Sequence, residues 1–508
     1  MSTSHAAPEF LPDLSPIPGL RSLGRTLRKS ALAVLVLGLL CLWFGSGGST
    51  PRLWGNVLIS GYNLTGVGLG ALFLLGVQVL TSARWGDPIL APLHAMPRVL
   101  PYAGILMLAL WFGASQIYPW AMPEYAHNHH IHGRHAWLNP PFFFLRIAIY
   151  FALWIGIGQA LLKRHKLAAP FIAFFAVTFA LASFDWIMSV QPLWYSTIFA
   201  IYGFAGMFVQ SIALLTLSGI ALRHFGLVRG IAHARNHDLG KLLFAFSCFW
   251  AYIWLSQFLL IWYSNIPEEV VPVKAVLFGE WSPLFYLNLL LNFVVPFFLL
   301  IQKKAKQDET VLIWASVILL GGHWLDLYLQ VFPPLTKGAA PSLGLAELGG
   351  LLVTLGLGHM AVWSRLTRSR PTYWNDAYST GASLIDDQHK QLHDQVNALF
   401  DAIERFKPGQ ERILEEAFKT FTADLKAHIN TEEAYLAKTG HPLTKPHHQS
   451  HHEYLLRLER LIGRGDYTPR SHEDLLDALG EFRLHFDTAE EQALLDHLRR
   501  PGAAHEEP

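Results

Sequence analysis

Between residues 389 and 490 the chain carries histidines and carboxylates at spacings that can hold a metal. His428 and Glu432 are four apart in LKAHINTEEAYL, and His447 and His451 are four apart in KPHHQSHHEYL. His389 stands upstream in IDDQHKQL and His485 downstream in FRLHFDTAEEQ. Residues four apart share one helix face, so each pair can present two donors in the same direction. Imidazole with carboxylate, and no thiolate, suits non-haem iron better than zinc. A lone histidine would read as solvated surface. Donors recurring in four successive helical segments argue against that reading here.

The elements that must position these donors follow from apolar periodicity. A first helix is predicted over 384–406, with Leu384, Ile385, Leu392, Val396, Leu399 and Phe400 as its apolar positions. A second is predicted over 411–438 and is stopped by Gly440 and Pro442. A third covers 446–463. A fourth begins after Ser471, a suitable N-cap with Glu473 and Asp474 in the first turn, and runs to about 499 before Pro501 and Gly502. Short connections between four helices predict an up-down-up-down bundle over 381–500, followed by a tail at 501–508. His389 falls beside Ile385, Leu392 and Val396, and His485 beside Leu479 and Leu484, so both belong to core-facing stripes.

With these motifs, and with Trp374 ahead of them, residues 374–500 resemble bacterial hemerythrin domains. The resemblance implies two non-haem irons joined by an oxo or hydroxo bridge, with O2 bound at an open position on one iron and drawing electrons from both. It implies His389, His428, Glu432, His447, His451 and His485 as ligands. Glu432 would bridge, and His447 and His451 would share one iron with His389 or His485. Two features stand apart. The histidines are doubled, so 447/451 and 448/452 both have four-residue spacing; the family spacing from His428 favours His447, and it puts Tyr454 on the family's aromatic position. The family's second bridging aspartate, five residues after the last histidine, is replaced by Glu490, while Asp487 does not share a helix face with His485. That replacement bears on reversible O2 carriage more than on iron itself.

The rest of the chain is of another kind. Of 508 residues 52% are hydrophobic and 15% charged, with 17 Trp and 33 Phe, and the long apolar runs fall almost entirely in 31–364. Ten runs are long enough to cross a hydrocarbon core of about 30 Å, at about 31–47, 57–81, 99–117, 141–163, 169–190, 196–222, 241–264, 281–302, 310–331 and 344–364. The third and tenth are diluted by Gly, Ser and Glu347. Loop charge is lopsided: nineteen Lys and Arg fall on the side of the amino terminus and four (Arg52, Arg134, Lys274, Lys337) on the other. The positive-inside rule then puts both termini, and the histidine-rich segment, in the cytoplasm of a multi-pass protein of the bacterial inner membrane, with lipid around it. The first 20 residues lack signal-peptide order, and Arg21, Arg25, Arg28 and Lys29 precede a run that reads as an uncleaved anchor. Residues 1–30 form an amino-terminal segment and 365–380 a basic, Pro- and Gly-containing linker. The expected class is all-α: a ten-span transmembrane bundle followed by a cytoplasmic four-helix bundle. A net charge of +1 gives no footprint for nucleic acid. Cys41 and Cys248 both lie in apolar runs, and there is no C-x-x-C-H for covalent haem.

Ionisable groups inside spans are candidates for function. Asp185, His323 and Asp326 are expected near the outer ends of their spans, with Tyr62 and Asn63 at similar depth and Tyr263, Glu268 and Glu269 at the outer end of the seventh. Such a layer suits a lipophilic molecule with a polar head or a short proton path; snorkelling and helix–helix hydrogen bonds are the plain alternative. FDWIMSVQPLWYSTIFAIYGFAG, HDLGKLLFAFSCFWAYIWLSQFLLIWYSNIPEE and GGHWLDLYLQVFPP resemble the NrfD-like membrane subunits of quinol:cytochrome c oxidoreductase, the alternative complex III, over about 50–365. The resemblance implies a ten-helix fold with two four-helix halves and contact with quinol or proton translocation. Asp185, His323 and Asp326 would then act on quinol or protons, and Tyr263 and Glu268 would line the quinone or proton path. The histidine-rich loop at His127, His129, His130, His132 and His135 lacks a spacing that fits one helix or strand and reads as solvated.

Three functions are compatible with these readings. One is a membrane-tethered O2-binding protein that senses O2 or supplies it to a respiratory partner. Another is a subunit of a quinol-oxidising complex with an oxidase, peroxidase or NO-reactive diiron site. The third is a non-enzymatic membrane assembly subunit.

Overall fold

The computed structural model describes residues 20–81, 89–125, 133–163, 165–224, 233–336, 339–366, 383–404, 411–439, 445–463, 475, 478 and 479. Regular structure among the described residues is helical, with no strand. Ten helices have the length and apolarity to cross a membrane: α1 (Thr26–Gly45), α2 (Thr50–Leu80), α3 (Pro92–Phe112), α4 (Pro140–Leu162), α5 (Ala168–Val190), α6 (Phe199–Leu222), α7 (Asn236–Ser264), α8 (Ser282–Leu300), α9 (Glu309–Leu335) and α10 (Leu345–Trp363). They belong to one unit, Thr26–Leu366. A chain with this many such helices is consistent with a multi-pass membrane protein.

Helices α2 and α6 are buried over most of their length, while α1 leaves Leu32, Leu39, Trp43 and Phe44 half or more exposed. Small residues let the central pair approach: a Cβ on Gly70 of α2 would lie 2.1 Å from Ser211 Oγ of α6. Two boundaries differ from the apolar reading for physical reasons. Helix α2 starts at Thr50 rather than near 57, because Pro51 suits a first turn and Arg52 is neutralised by Glu347 of α10. Arg52 Nε donates to Glu347 Oε1 at 2.8 Å, and the Gly344 amide donates to Glu347 Oε2 at 2.9 Å. That pairing also lets a carboxylate stand in the tenth span. Helix α3 begins at Pro92 rather than near 99, because the chain passes Pro97 in a 3₁₀ turn, Met96–Val99, instead of stopping there.

Helix α8 contains a π-helical segment, Leu290–Val294, just before Pro296. Proline has no N–H to donate one turn back, to the Asn292 carbonyl. Ser247 Oγ of α7 donates to that carbonyl instead, at 2.5 Å. Asn292 within the segment and Asn288 just before it both meet α9, at Gly322 and Asp326; π-segments often occur at functional sites.

A second unit holds α11 (Ser383–Glu404), α12 (Glu411–Thr439) and α13 (Lys445–Gly463). Leu392, Val396, Leu399 and Ile403 of α11 pack with Leu414, Phe418, Phe421, Leu425 and Ile429 of α12, Leu458 of α13, and Leu475, Ala478 and Leu479. Tyr454 OH donates to the Ala478 carbonyl at 2.8 Å, tying α13 to the segment where a fourth helix is expected. Ile385 is buried as its position on the stripe requires, while Leu384 is exposed. The remainder of the expected fourth helix, the linker from 367 to 380 and the tail at 501–508 lie outside the described residues.

Candidate metal centre

Helices α11 and α12 place His389 and His428 at the same level of the core. His389 Nε2 lies 3.1 Å from His428 Nε2, with both residues buried. Two nitrogens that each sit about 2.1 Å from one ion, at near-right angles, are separated by about 3 Å. Four residues on, Glu432 Oε2 is 3.8 Å from His428 Nε2, and it is 4.0 Å from His451 Nδ1 of α13. The other nitrogen of His428, Nδ1, is 3.2 Å from Gln388 Oε1, and Gln388 Nε2 donates to Thr431 Oγ1 at 3.3 Å. Such a partner fixes the ring and aims its free nitrogen. Imidazole, carboxylate and an orienting amide in an apolar layer are a donor set that fits iron.

Of the sequence-derived ligands, the structure sets His389 against His428, with Glu432 3.8 Å from His428 and His451 4.0 Å from Glu432. His451 is buried and His452 exposed. The side chain of His447, and all of His485 and Glu490, lie outside the described residues. Among the described residues no group of three or more donors converges on a metal-binding point. The close contact is the His389–His428 pair, with Glu432 and His451 one step further out. Sequence reasoning passed over two neighbours. Gln388 carried no ligand signal. His393, 3% exposed, carried one in its four-residue spacing from His389.

In the membrane-length helices, Asp326 of α9 is the centre of a second polar cluster. Its Oδ1 accepts from Tyr202 OH and, at 3.1 Å, from Asn288 Nδ2. Its Oδ2 accepts from Trp250 Nε1 at 3.2 Å and Gln330 Nε2 at 3.0 Å. Four helices thus converge on one carboxyl group with neutral donors. Asp326, Tyr202, Asn288 and Gln330 line a cavity of about 150 Å³ together with Trp254 and Phe258. Asn292 Nδ2 donates to Asn288 Oδ1 at 2.6 Å and extends the network.

The other membrane candidates are placed differently. Asp185 is held in a closed pair: Arg146 Nε donates to Oδ2 at 2.8 Å and Arg146 Nη2 to Oδ1 at 3.0 Å, and Trp137 Nε1 adds a bond of 2.7 Å. The guanidinium also stacks 4.2 Å over the Trp137 ring. Asp185 is not among the cavity residues. His323 is buried one turn before Asp326, against Gly206 of α6, where a Cβ would lie 2.5 Å from its Cε1. Neither ring nitrogen of His323 has a hydrogen-bond partner among the described residues. Tyr263 is 86% exposed and outside the cavity; the Glu268 side chain lies outside the described residues. Tyr62 OH sits 3.3 Å from Ser183 Oγ, and Asn63 Oδ1 accepts from Gln210 Nε2 at 2.7 Å. Residues 126–132 of the histidine-rich loop lie outside the described residues.

No family model matches the chain. It is similar to bacteriohemerythrin of Pseudomonas paraeruginosa, at 27% identity over 86 residues. That match covers 17% of this chain and 54% of the relative, so the chain spans about half the length of the curated protein it matches.

Proposed function

We propose that residues 381–500 form a hemerythrin-like four-helix bundle that holds an iron pair and binds O2. The observation that carries the reading is the 3.1 Å approach of His389 Nε2 to His428 Nε2, with Glu432 next in line toward His451. His389, His428, Glu432, His447, His451, His485 and Glu490 would hold the metals. When bound, the iron pair supplies the electrons that hold O2. The chain's own contribution is positional. Gln388 orients the His428 ring, Glu432 stands between His428 of its own helix and His451 of α13, and His389, His428 and Glu432 are buried with Ile385, Leu392 and Ile429. The similarity to bacteriohemerythrin supports the same reading.

The bundle is joined to a multi-pass domain with both termini in the cytoplasm, an orientation supported by the loop charges. In this arrangement O2 is bound at the cytoplasmic face, for sensing or for supply to a respiratory partner. The Asp326 cavity favours a more specific reading of the membrane part. A cavity lined by polar groups, Asp326, Tyr202 and Gln330 among them, and by the rings of Trp254 and Phe258 suits a molecule with a polar head and an aromatic ring, such as quinol. On that reading the NrfD-like part contacts quinol, and the diiron site serves a quinol-oxidising complex.

Iron analysis of the purified full chain tests the primary reading. One iron pair per chain is expected, lost in the His428→Ala, Glu432→Ala double variant while membrane insertion persists. A wild-type chain that retains no iron after anaerobic loading would refute it.

A further inference from the structure

His393 is the buried imidazole that the ligand set above does not use. It lies one helical turn after His389 on α11 and is 3% exposed. At 3.6 residues per turn it stands about 40° round the helix from His389. The side of α11 turned to α12 is marked by Gln388, by Gln391 Nε2 donating to Asp424 Oδ2 at 3.0 Å, and by Gln395 Nε2 donating to the same oxygen at 2.5 Å. His393 lies on the other side of His389 from these glutamines, together with Asp386, which is 8% exposed. That flank is buried although it faces away from α12.

The four-residue spacing of His389 and His393 is that of His428 with Glu432 and of His447 with His451. Two donors so spaced on one helix can reach one ion, as in metal-binding helices that carry a His-x-x-x-His pair. Each of the three described helices of this unit then carries one such pair.

We propose that His393 is a further metal ligand, forming a chelating pair with His389 and adding an imidazole to the iron site. The inference rests on the hemerythrin-like reading and goes beyond its ligand set. Its consequence is a more tightly held metal beside His389 and His428, with less room there for an incoming small ligand.

Iron loss to EDTA from the full-length, iron-loaded protein in detergent tests it, in wild type, His393→Phe and His393→Ala. Phenylalanine fills the volume without a nitrogen; alanine leaves space that free imidazole can enter. Both variants are expected to lose iron at least about tenfold faster, the lower end of what disturbing a metal site's support costs. Added imidazole should slow the loss in His393→Ala and leave His393→Phe unchanged, with the helical circular dichroism of all three alike. Iron retained by both variants as in wild type would overturn the inference alone, as would rapid loss from His393→Ala that imidazole does not slow. A wild-type chain that holds no iron would overturn the hemerythrin-like reading and this inference with it.

Discussion

His389 and His428, on different helices and 39 residues apart, bring their Nε2 atoms to 3.1 Å of one another in a buried layer. The two imidazoles meet through the atoms that a shared ion would use. The contact sets the level of the candidate centre and makes the residues around it testable.

Gln388 positions the His428 ring through Nδ1. Gln388→Ala is expected to weaken iron binding about 10- to 100-fold, the usual effect of removing such a partner. Gln388→Glu should restore most of the affinity, because it returns an acceptor to the same atom. Metal competition titrations read both.

Arg146 and Asp185 form a buried bidentate pair. Removing one partner strands the other, so Arg146→Met should cost about 3–5 kcal/mol. The double variant Arg146→Met, Asp185→Leu should recover much of that loss. Thermal melting in detergent would show it. Equal destabilisation of the single and double variants would mean the pair's charges do not govern the region.

Gly206 gives His323 its space, since a Cβ there would lie 2.5 Å from the imidazole. Gly206→Ala should destabilise by about 1–3 kcal/mol, the usual cost of overpacking. Adding His323→Ala should cancel most of the steric part. A double-mutant cycle in detergent measures that coupling.

These residues also mark how far the sequence could be read. The apolar period of α11 and α12 was legible because burial follows helix geometry directly, and Leu392, Val396, Leu399 and Ile403 fall into the core together. The four-residue spacing of His428 and Glu432 pointed to two residues that are both buried. Arg146 was not, because a cation inside an apolar run has meaning only with its partner, and Asp185 is 39 residues away on another helix. Arg52 was read as a loop charge for the same reason: Glu347, which lets it begin a helix, is 295 residues distant. The Asp326 network needs four helices to assemble, so sequence could nominate the carboxyl group without its donors. His393 was readable in principle by its spacing, and only its burial separates it from the exposed His452.

Asp326 lines the cavity among the membrane-length helices. Asp326→Asn keeps the size of the side chain but turns one of two oxygens, each accepting two hydrogen bonds, into a donor. Binding of a short-chain quinol, followed by quenching of tryptophan fluorescence, is expected to weaken about tenfold, or roughly 1.4 kcal/mol. Unchanged binding would remove Asp326 from the quinol reading.

The most direct test of the central claim is an anaerobic O2 titration of the reduced, iron-loaded full chain, followed by optical absorption. A new visible band that saturates at one O2 per iron pair and is absent from His428→Ala is expected. Iron-loaded protein that shows no O2-dependent band, or a band that persists in His428→Ala, would contradict it.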